Sequence, residues 1–340
     1  MTVAADPGSG PRDGVLLVGQ SPALRRCWHP VAFCGQIAAA PVARTLLGTP
    51  VVLWRTPDGL LHSAVDRCPH RWAQLSRGTI AGDRLVCPYH GWQFGPDGAV
   101  VEIPQLEEGA PLPPSACLSM LPAVEACGMA WVSLEAQPPV PIPVIPEFTD
   151  TRFDRVEVGV IRYHASAPAI IDNNTDSTHV AFVHSGSFGA DQDPQIGIGS
   201  VERTSFGISI SFGEMPVART PTAQQRGTRW SVTEMWLPFV QVGRMHYSDG
   251  STHILVKGCC PVEDGVTDVH LAVLRNDVSD AFDRQAIIDF EMAVELEDKA
   301  VLETLPAAFP LDPRLQTHSK HDRPGIAYRQ ALADFLAGLS

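Results

Sequence analysis

The sequence predicts an α+β chain of two domains, a small antiparallel β domain followed by an antiparallel sheet flanked by helices, and three observations carry that expectation. Between Val15 and Leu134, short apolar runs (PVVLW from Pro50, LLHSAV from Leu60, GMAWVSL from Gly128) alternate with Gly, Pro and Asp turns, the spacing of a small antiparallel β domain. Residues 136–147 (AQPPVPIPVIPE) are too proline-dense for helix or central strand and form a semi-rigid extended connector. Beyond them come a strand-like EVGVIRY at 157–163, a helical segment near 168–184, several strands within 201–275 and a long helix near 279–304. Residues 1–14 are rich in Gly, Pro, Ala and Asp and read as a flexible tail. The expected order is therefore tail 1–14, first domain 15–135, connector 136–147 and second domain 148–340.

Composition narrows the function classes. At 340 residues and 44% apolar content the chain can build a core in each of two domains. Its net charge of −13 and the lack of any basic cluster argue against nucleic acid and anionic membrane as partners. No apolar run reaches ~18 residues and Met1 to Gly14 carries no secretory pattern, so the expectation is a soluble, cytoplasmic protein. Six of the eight cysteines (Cys27, Cys34, Cys117, Cys127, Cys259 and Cys260) show no regular framework and read as free thiols.

The strongest chemical signal is a pair of short loops, DRCPHRW from Asp66 and VCPYHGW from Val86, each with one cysteine and one histidine. Cys68, His70, Cys87 and His90 supply two thiolates and two imidazoles, the ligand set of a Rieske 2Fe-2S cluster, with cysteines on one iron and histidines on the other. Imidazole in place of thiolate raises the reduction potential, which suits one-electron relay. A structural zinc site also takes Cys2His2 ligation but spaces its ligands C-x2-4-C and H-x3-5-H, whereas here each loop carries one of each. Pro69 and Pro88 stiffen the loops, Gly91 lets the backbone approach the cluster, and Trp72 and Trp92 stand beside the ligands as expected shields.

Respiratory Rieske proteins carry a further cysteine in each loop; this chain has Ala73 and Tyr89 there. Through WHPVA from Trp28, CPHR from Cys68 and CPYHGWQF from Cys87, residues 28–135 instead resemble the soluble Rieske domain of the Rieske non-haem iron oxygenases. The resemblance gives the remaining two thirds of the chain a purpose.

A second signal lies in IIDNNTDSTHVAFVHSG, residues 170–186. Asp176 and His179 are three apart and share a helix face, but His184 is five beyond His179. A distortion or a helix end must therefore bring the two imidazoles together, with Gly186 as a stop. Two histidines with one distant carboxylate form the facial triad of non-haem iron(II), which leaves positions open for dioxygen. Two histidines five apart are by themselves weak evidence of a metal. The string resembles the family's D-x3-D-x2-H-x4-H motif through Asp172, Asp176, His179 and His184.

The long helix offers the third ligand. Ile287, Phe290, Val294, Val301 and Leu305 recur at three- and four-residue steps and make one apolar stripe, and Asp298 falls on it, about 40° from Val294 at ~100° per residue. A carboxylate there is costly to desolvate unless a cation meets it. Glu291 and Glu297 lie on the stripe's edges as weaker candidates. The string EDKAVLE from Glu297 is similar to the family segment that supplies the aspartate ligand.

The resemblance implies more. Asp176 matches the carboxylate that bridges a cluster-bound histidine and an iron-bound histidine, a contact made in the family between neighbouring subunits of a homotrimer. Asn173 matches the N-x-x-D pattern near the iron, a helix cap or polar surface being the alternative. The second domain is expected to be helix-grip-like, and HDRPGIAYRQ from His321 also resembles the single-chain monooxygenase, demethylase and hydroxylase branch. No dinucleotide fingerprint or four-cysteine ferredoxin spacing is present, so electrons are expected from a separate NAD(P)H-dependent reductase or ferredoxin. The expected activity is O2-dependent monooxygenation of a small aromatic or polycyclic substrate. Ring dihydroxylation and a Rieske electron carrier with a merely ligand-binding second domain are the alternatives. His246 and His253 are candidates for the substrate pocket.

Overall fold

The computed structural model describes residues 14–136, 138–190, 192–194, 199–217, 227–277 and 283–339. The expected tail lies outside the described residues except for Gly14. The chain divides into two compact units, Arg25–Ile142 and Met1–Leu24 with Pro143–Ser340, and the division falls inside the proline-dense connector. Within 138–145 the connector forms no helix or strand, as its prolines require.

The unit Arg25–Ile142 is built from small antiparallel sheets. Four strands run in the order Met120–Leu121, Leu61–Val65, Thr49–Arg55, Val42–Leu46; three in the order Ala123–Ala126, Met129–Val132, His29–Phe33; and four in the order Thr79–Ala81, Arg84–Val86, Gln93–Phe94, Val100–Glu102. Two hairpins close through two-residue turns with both residues left-handed, Leu47–Gly48 and Cys127–Gly128, the backbone that matches strand twist. Val52, Trp54, Ala64, Leu75, Leu85 and Phe94 are buried in one core with Cys68 and Cys87.

The other unit is a seven-stranded antiparallel sheet with helices. Its strands are β1 (Asp154–Tyr163), β2 (Val201–Arg203), β3 (Gly207–Pro216), β4 (Thr228–Trp236), β5 (Val240–Tyr247), β6 (Thr252–Glu263) and β7 (Val266–Arg275), in the order β1-β7-β6-β5-β4-β3-β2. The helices are α1 (Ala167–Asn173), α2 (Val180–Val183), α3 (Arg284–Leu302) and α4 (Arg323–Leu339). α3 lies along β1: Arg284 pairs with Asp154 at one end (2.8 Å) and Glu303 accepts the His164 amide just past the other (2.7 Å). Asp283 caps α3 by accepting the Gln285 and Ala286 amides. No helix among the described residues is long and apolar enough to cross a membrane.

Residues 15–24, expected in the first domain, belong to this second unit instead. Val15–Leu16 pairs antiparallel with Phe309–Pro310, and the Gly19 amide donates to Asp264 (2.8 Å). The strand partner lies nearly 300 residues away, so no local pattern reveals it.

Candidate functional site

The two ligand loops repeat one backbone design. The Cys68 amide donates to the Ala73 carbonyl and the Trp72 amide to the Cys68 carbonyl, both at 2.9 Å. The Cys87 amide likewise donates to the Trp92 carbonyl (2.8 Å) and the Gly91 amide to the Cys87 carbonyl (3.1 Å). Each loop is left-handed four places after its cysteine, at Trp72 (φ 60°) and Gly91 (φ 71°). Asp66 anchors the first loop by accepting the Ser76 amide (2.8 Å) and hydroxyl (2.5 Å).

Cys68 and Cys87 are 1% and 3% exposed, whereas His70 is exposed and His90 half-buried, their ring centroids 4.6 Å apart. Burial raises the Cys68 thiol to about 11, with Cys87 adding to the rise and the His70 amide opposing it. A thiolate there therefore needs a cation. Desolvation, with His90 and Arg71 nearby, lowers the His70 pKa and favours the neutral imidazole a metal requires. Two inward thiols and two outward imidazoles could hold a 2Fe-2S cluster. Trp92 stacks on His70 at 4.4 Å and 5°. Trp72, by contrast, is 72% exposed, with Arg67 over the ring.

In the second unit the helix expected over 168–184 is broken. α1 stops at Asn173, and Asp176 lies in a turn, where Oδ1 accepts the Thr178 amide and hydroxyl (both 2.7 Å). This local bonding competes with helix and ends it, so Asp176 and His179 do not share a helix face. α2 is a single turn with His179 and His184 at its two caps, which brings their rings to 5.3 Å. Gly186 does more than follow the helix end. A Cβ there would come within 2.7 Å of Glu297 Oε1, so the glycine makes room for Glu297.

Each imidazole is held between two carboxylates. His184 Nδ1 donates to Glu297 Oε2 (2.9 Å), which also accepts the Ser187 hydroxyl (2.7 Å), and His179 Nδ1 lies 3.5 Å from Asp176 Oδ2. The Nε2 atoms of His179 and His184 face Asp298 Oδ1 at 3.6 and 3.3 Å. The ligand atoms of His179, His184 and Asp298 lie within 4.8 Å of one another. Asp298 Oδ1 is buried without a hydrogen-bond partner. That orphaned oxygen, met by two nitrogens, with the His184 ring held from behind by Glu297, fits a divalent cation. Burial pulls the His184 pKa down, but Asp298 and Glu297 outweigh it and raise the net value; burial likewise opposes Asp298, which His184 and Lys257 hold below the usual carboxylate range.

The buried face of α3 differs from the apolar stripe. Ile287, Glu295, Asp298 and Leu302 are buried, while Val301 and Leu305 are exposed. At ~100° per residue the centre of the face is turned by roughly 60° toward Glu295. Its cause is a polar network: Lys257 Nζ pairs with Glu295 Oε1 (2.5 Å) and donates to Asn174 Oδ1 (2.9 Å), and the Tyr163 hydroxyl donates to Glu295 Oε2 (2.6 Å). The network joins the end of α1, two strands of the sheet and the turn of α3 before Asp298. Sequence reasoning missed Lys257, Glu295, Tyr163 and Asn174; the signal was a lone lysine in the otherwise apolar run HILVKGCC from His253. Glu297 serves His184 rather than competing with Asp298. Burial and Glu295 raise Glu291 to about 7.

Asp172 pairs with Arg329 of α4 (2.6 Å) and so fixes α1 rather than facing the triad. Asn173 and Asp176 share the wall of a cavity of about 480 Å³ with Leu302, His318, His321 and Arg329. Of the pocket candidates, His253 pairs with Asp277 (3.1 Å) and His246 stacks on Trp230 (4.0 Å).

Residues 27–123 match the Rieske 2Fe-2S domain, and residues 163–338, over half of the chain, match the vanillate O-demethylase oxygenase C-terminal domain. The chain belongs to the Rieske non-haem iron oxygenases. This oxygenase is similar to methylxanthine N1-demethylase NdmA of Pseudomonas putida, 29% identical over 92% of this chain and 89% of that protein. It is similar also to the dicamba O-demethylase oxygenase component of Stenotrophomonas maltophilia, 30% identical over 64% and 68%. The solved structure of Pseudomonas putida CBB5 NdmA with caffeine aligns at a TM-score of 0.80 and 28% identity, covering 92% of this chain and 95% of that one. Dicamba monooxygenase bound to dicamba shares the fold at a TM-score of 0.80 and 20% identity. The oxygenase accordingly takes a Rieske 2Fe-2S cluster and a mononuclear iron, with His179, His184 and Asp298 as the candidate metal site.

Proposed function

We propose that the chain is the terminal component of a multicomponent monooxygenase, using dioxygen and externally supplied electrons to hydroxylate or oxidatively demethylate a small aromatic or heterocyclic substrate. The observation that carries this reading is the convergence of His179, His184 and Asp298 on one point, with an oxygen of Asp298 left without a donor. Relatives named as an N-demethylase and an O-demethylase support the reaction class. A cytoplasmic setting accords with eight free cysteines.

In this reading Cys68 and Cys87 would hold one iron of the cluster, His70 and His90 the other, and His179, His184 and Asp298 would hold the mononuclear iron. When bound, the two groups supply one-electron relay and a ferrous site with open positions for dioxygen. Glu297 fixes the His184 tautomer so that Nε2 would face the metal, and Asp176, 3.5 Å from His179 Nδ1, is placed to do the same for His179 on a small approach. Asp176, with its side chain 34% exposed, can also accept a hydrogen bond from a cluster-bound imidazole of a neighbouring copy, in the homotrimer that the family resemblance implies. Asn173 stands beside it on the cavity wall and helps set the environment of the bridge. A separate reductase or ferredoxin delivers the electrons to the cluster domain, Arg25–Ile142.

Metal and sulfide analysis of the purified chain should give about three irons and two acid-labile sulfides. With a surrogate reductase, an oxygen-uptake screen of aromatic acids, methyl ethers, amines and N-methyl heterocycles should yield a product carrying one atom from labelled dioxygen. Protein without labile sulfide, or with no iron beyond the sulfide count, overturns the reading. Asp176→Asn should keep the cluster spectrum and abolish product; unchanged turnover removes the bridging role.

A further inference from the structure

Three neighbouring positions of β4 and β5 form a polar notch on the face of the sheet that carries Lys257. Gln241 lies directly opposite Lys257 in the β5–β6 register, and Thr233 directly opposite Gly243 in the β4–β5 register. Opposed residues of antiparallel strands share a face, as do positions i and i+2. Gln241, Gly243 and Thr233 therefore look toward the side on which Lys257 meets Glu295, one helical turn before Asp298. A Cβ at Gly243 would sit 3.7 Å from both Gln241 Nε2 and Thr233 Oγ1, so two polar side chains flank bare backbone.

Gln241 is 7% exposed and Thr233 8%. Gln241 Oε1 is buried and has no hydrogen-bond partner among the described residues. Folding alone gives no reason to keep such a group, since leucine would fill the volume without the penalty.

We propose that the notch of Gln241, Gly243 and Thr233 is the specificity-determining subsite for the substrate's polar edge, and that it selects a ring bearing a lactam, an N–H beside a C=O. The proposal rests on the reading of the chain as an oxygenase of small organic molecules and narrows its substrate class. A primary amide and a lactam pair through two antiparallel hydrogen bonds, and the missing side chain at Gly243 lets a flat ring lie against the strand. The Thr233 hydroxyl serves as a further donor or acceptor.

Calorimetric titration of the anaerobic holoprotein with 2-quinolone, N-methyl-2-quinolone and naphthalene tests this without turnover. The expected result is 2-quinolone binding about tenfold or more tighter than either analogue. Gln241→Leu should reduce 2-quinolone to the level of N-methyl-2-quinolone without lowering Tm, because an unpaired buried group has been removed. Gly243→Ala, whose methyl would meet only ordinary 3.7 Å contacts, should keep the fold and weaken 2-quinolone binding. Equal affinity of the wild type for the three compounds, no binding of any of them, or a Gln241→Leu protein that retains the preference overturns the proposal. Should Gln241→Leu fail to fold, Gly243→Ala decides. Iron and sulfide contents of the same samples report separately on the oxygenase reading.

Discussion

The cluster loops and the triad both orient two histidines, and they do so by opposite means. In the loops the backbone does the work: two matching turns set the ring positions, the cysteines are sunk in the core and the imidazoles stand at the surface with Trp92 packed on one of them. In the triad side chains do it, Glu297 behind His184, Asp176 behind His179, and Lys257 and Glu295 behind the helix that carries Asp298. A centre that exchanges electrons with a partner needs exposed ligand edges. One that controls oxygen chemistry needs buried ligands of fixed tautomer. The loops should therefore be sensitive to backbone changes, and the triad to charge changes at residues that touch no metal.

The sharpest way to break the comparison is to remove one anionic ligand from each region. Asp298→Ala should take mononuclear iron below detection and abolish turnover while the visible spectrum of the cluster survives. Cys87→Ser should remove the cluster and its visible spectrum while sparing the mononuclear iron, with turnover lost in this variant too. Iron and sulfide analysis with absorption spectra checks both, and loss of both metals in either variant would show that the regions are not independent.

The same contrast decides how much could be read beforehand. The loop ligands lie within 23 residues, and their spacing reports the cluster directly. The α+β class and an antiparallel sheet in the second domain also followed from pattern, while His179 and His184 were singled out through the family resemblance and come together with Asp298 as a candidate metal site. Asp298 was found for a partly mistaken reason. The apolar stripe was centred through Val301 and Leu305, which are exposed, because Glu295 counts as polar in a periodicity although Lys257 and Tyr163 allow it to be buried. The break at Asn174–Thr178 was not anticipated, Asp176 and His179 being expected on one helix face, since its cause is a side chain bonding its own turn. The short N-terminal strand and the Lys257 network depend on contacts across 38 residues or more.

Lys257→Met should be the most destabilising change that leaves all metal ligands in place. It strips the counter-charge from Glu295 and from the electrostatic neighbour Asp298, and breaking a buried pair costs about 3–5 kcal/mol. The double variant Lys257→Met with Glu295→Leu should recover most of that loss, because an apolar pair carries no desolvation penalty. Urea unfolding of the three proteins measures it. A double variant no better than the single one would mean that Lys257 acts through packing.

Glu297→Gln is expected to lower iron affinity by about 10–100-fold, since the amide keeps the shape but no longer holds the His184 tautomer with a full charge. Competition with a chelator should reveal it, with the cluster untouched. Iron binding equal to wild type would show that the backbone orients His184, making the triad resemble the loops.

The smallest expected effect tests the equivalence of the loops. Gly91 and Trp72 occupy matching left-handed positions, so only the residue with a side chain is strained there. Gly91→Ala should cost about 1–2 kcal/mol, because an L-residue pays that much in this conformation and its Cβ would sit 3.3 Å from Pro104. Trp72→Gly should change stability by less than ~0.5 kcal/mol, since relief of strain is offset by the freedom glycine adds to the unfolded chain, and the exposed indole takes little packing with it. Thermal unfolding followed at the cluster's visible absorption ranks the two. If Trp72→Gly proved the more damaging, Trp72 would owe its conformation to a contact of its indole and not to the repeated turn, and the two loops would share hydrogen bonds without sharing energetics.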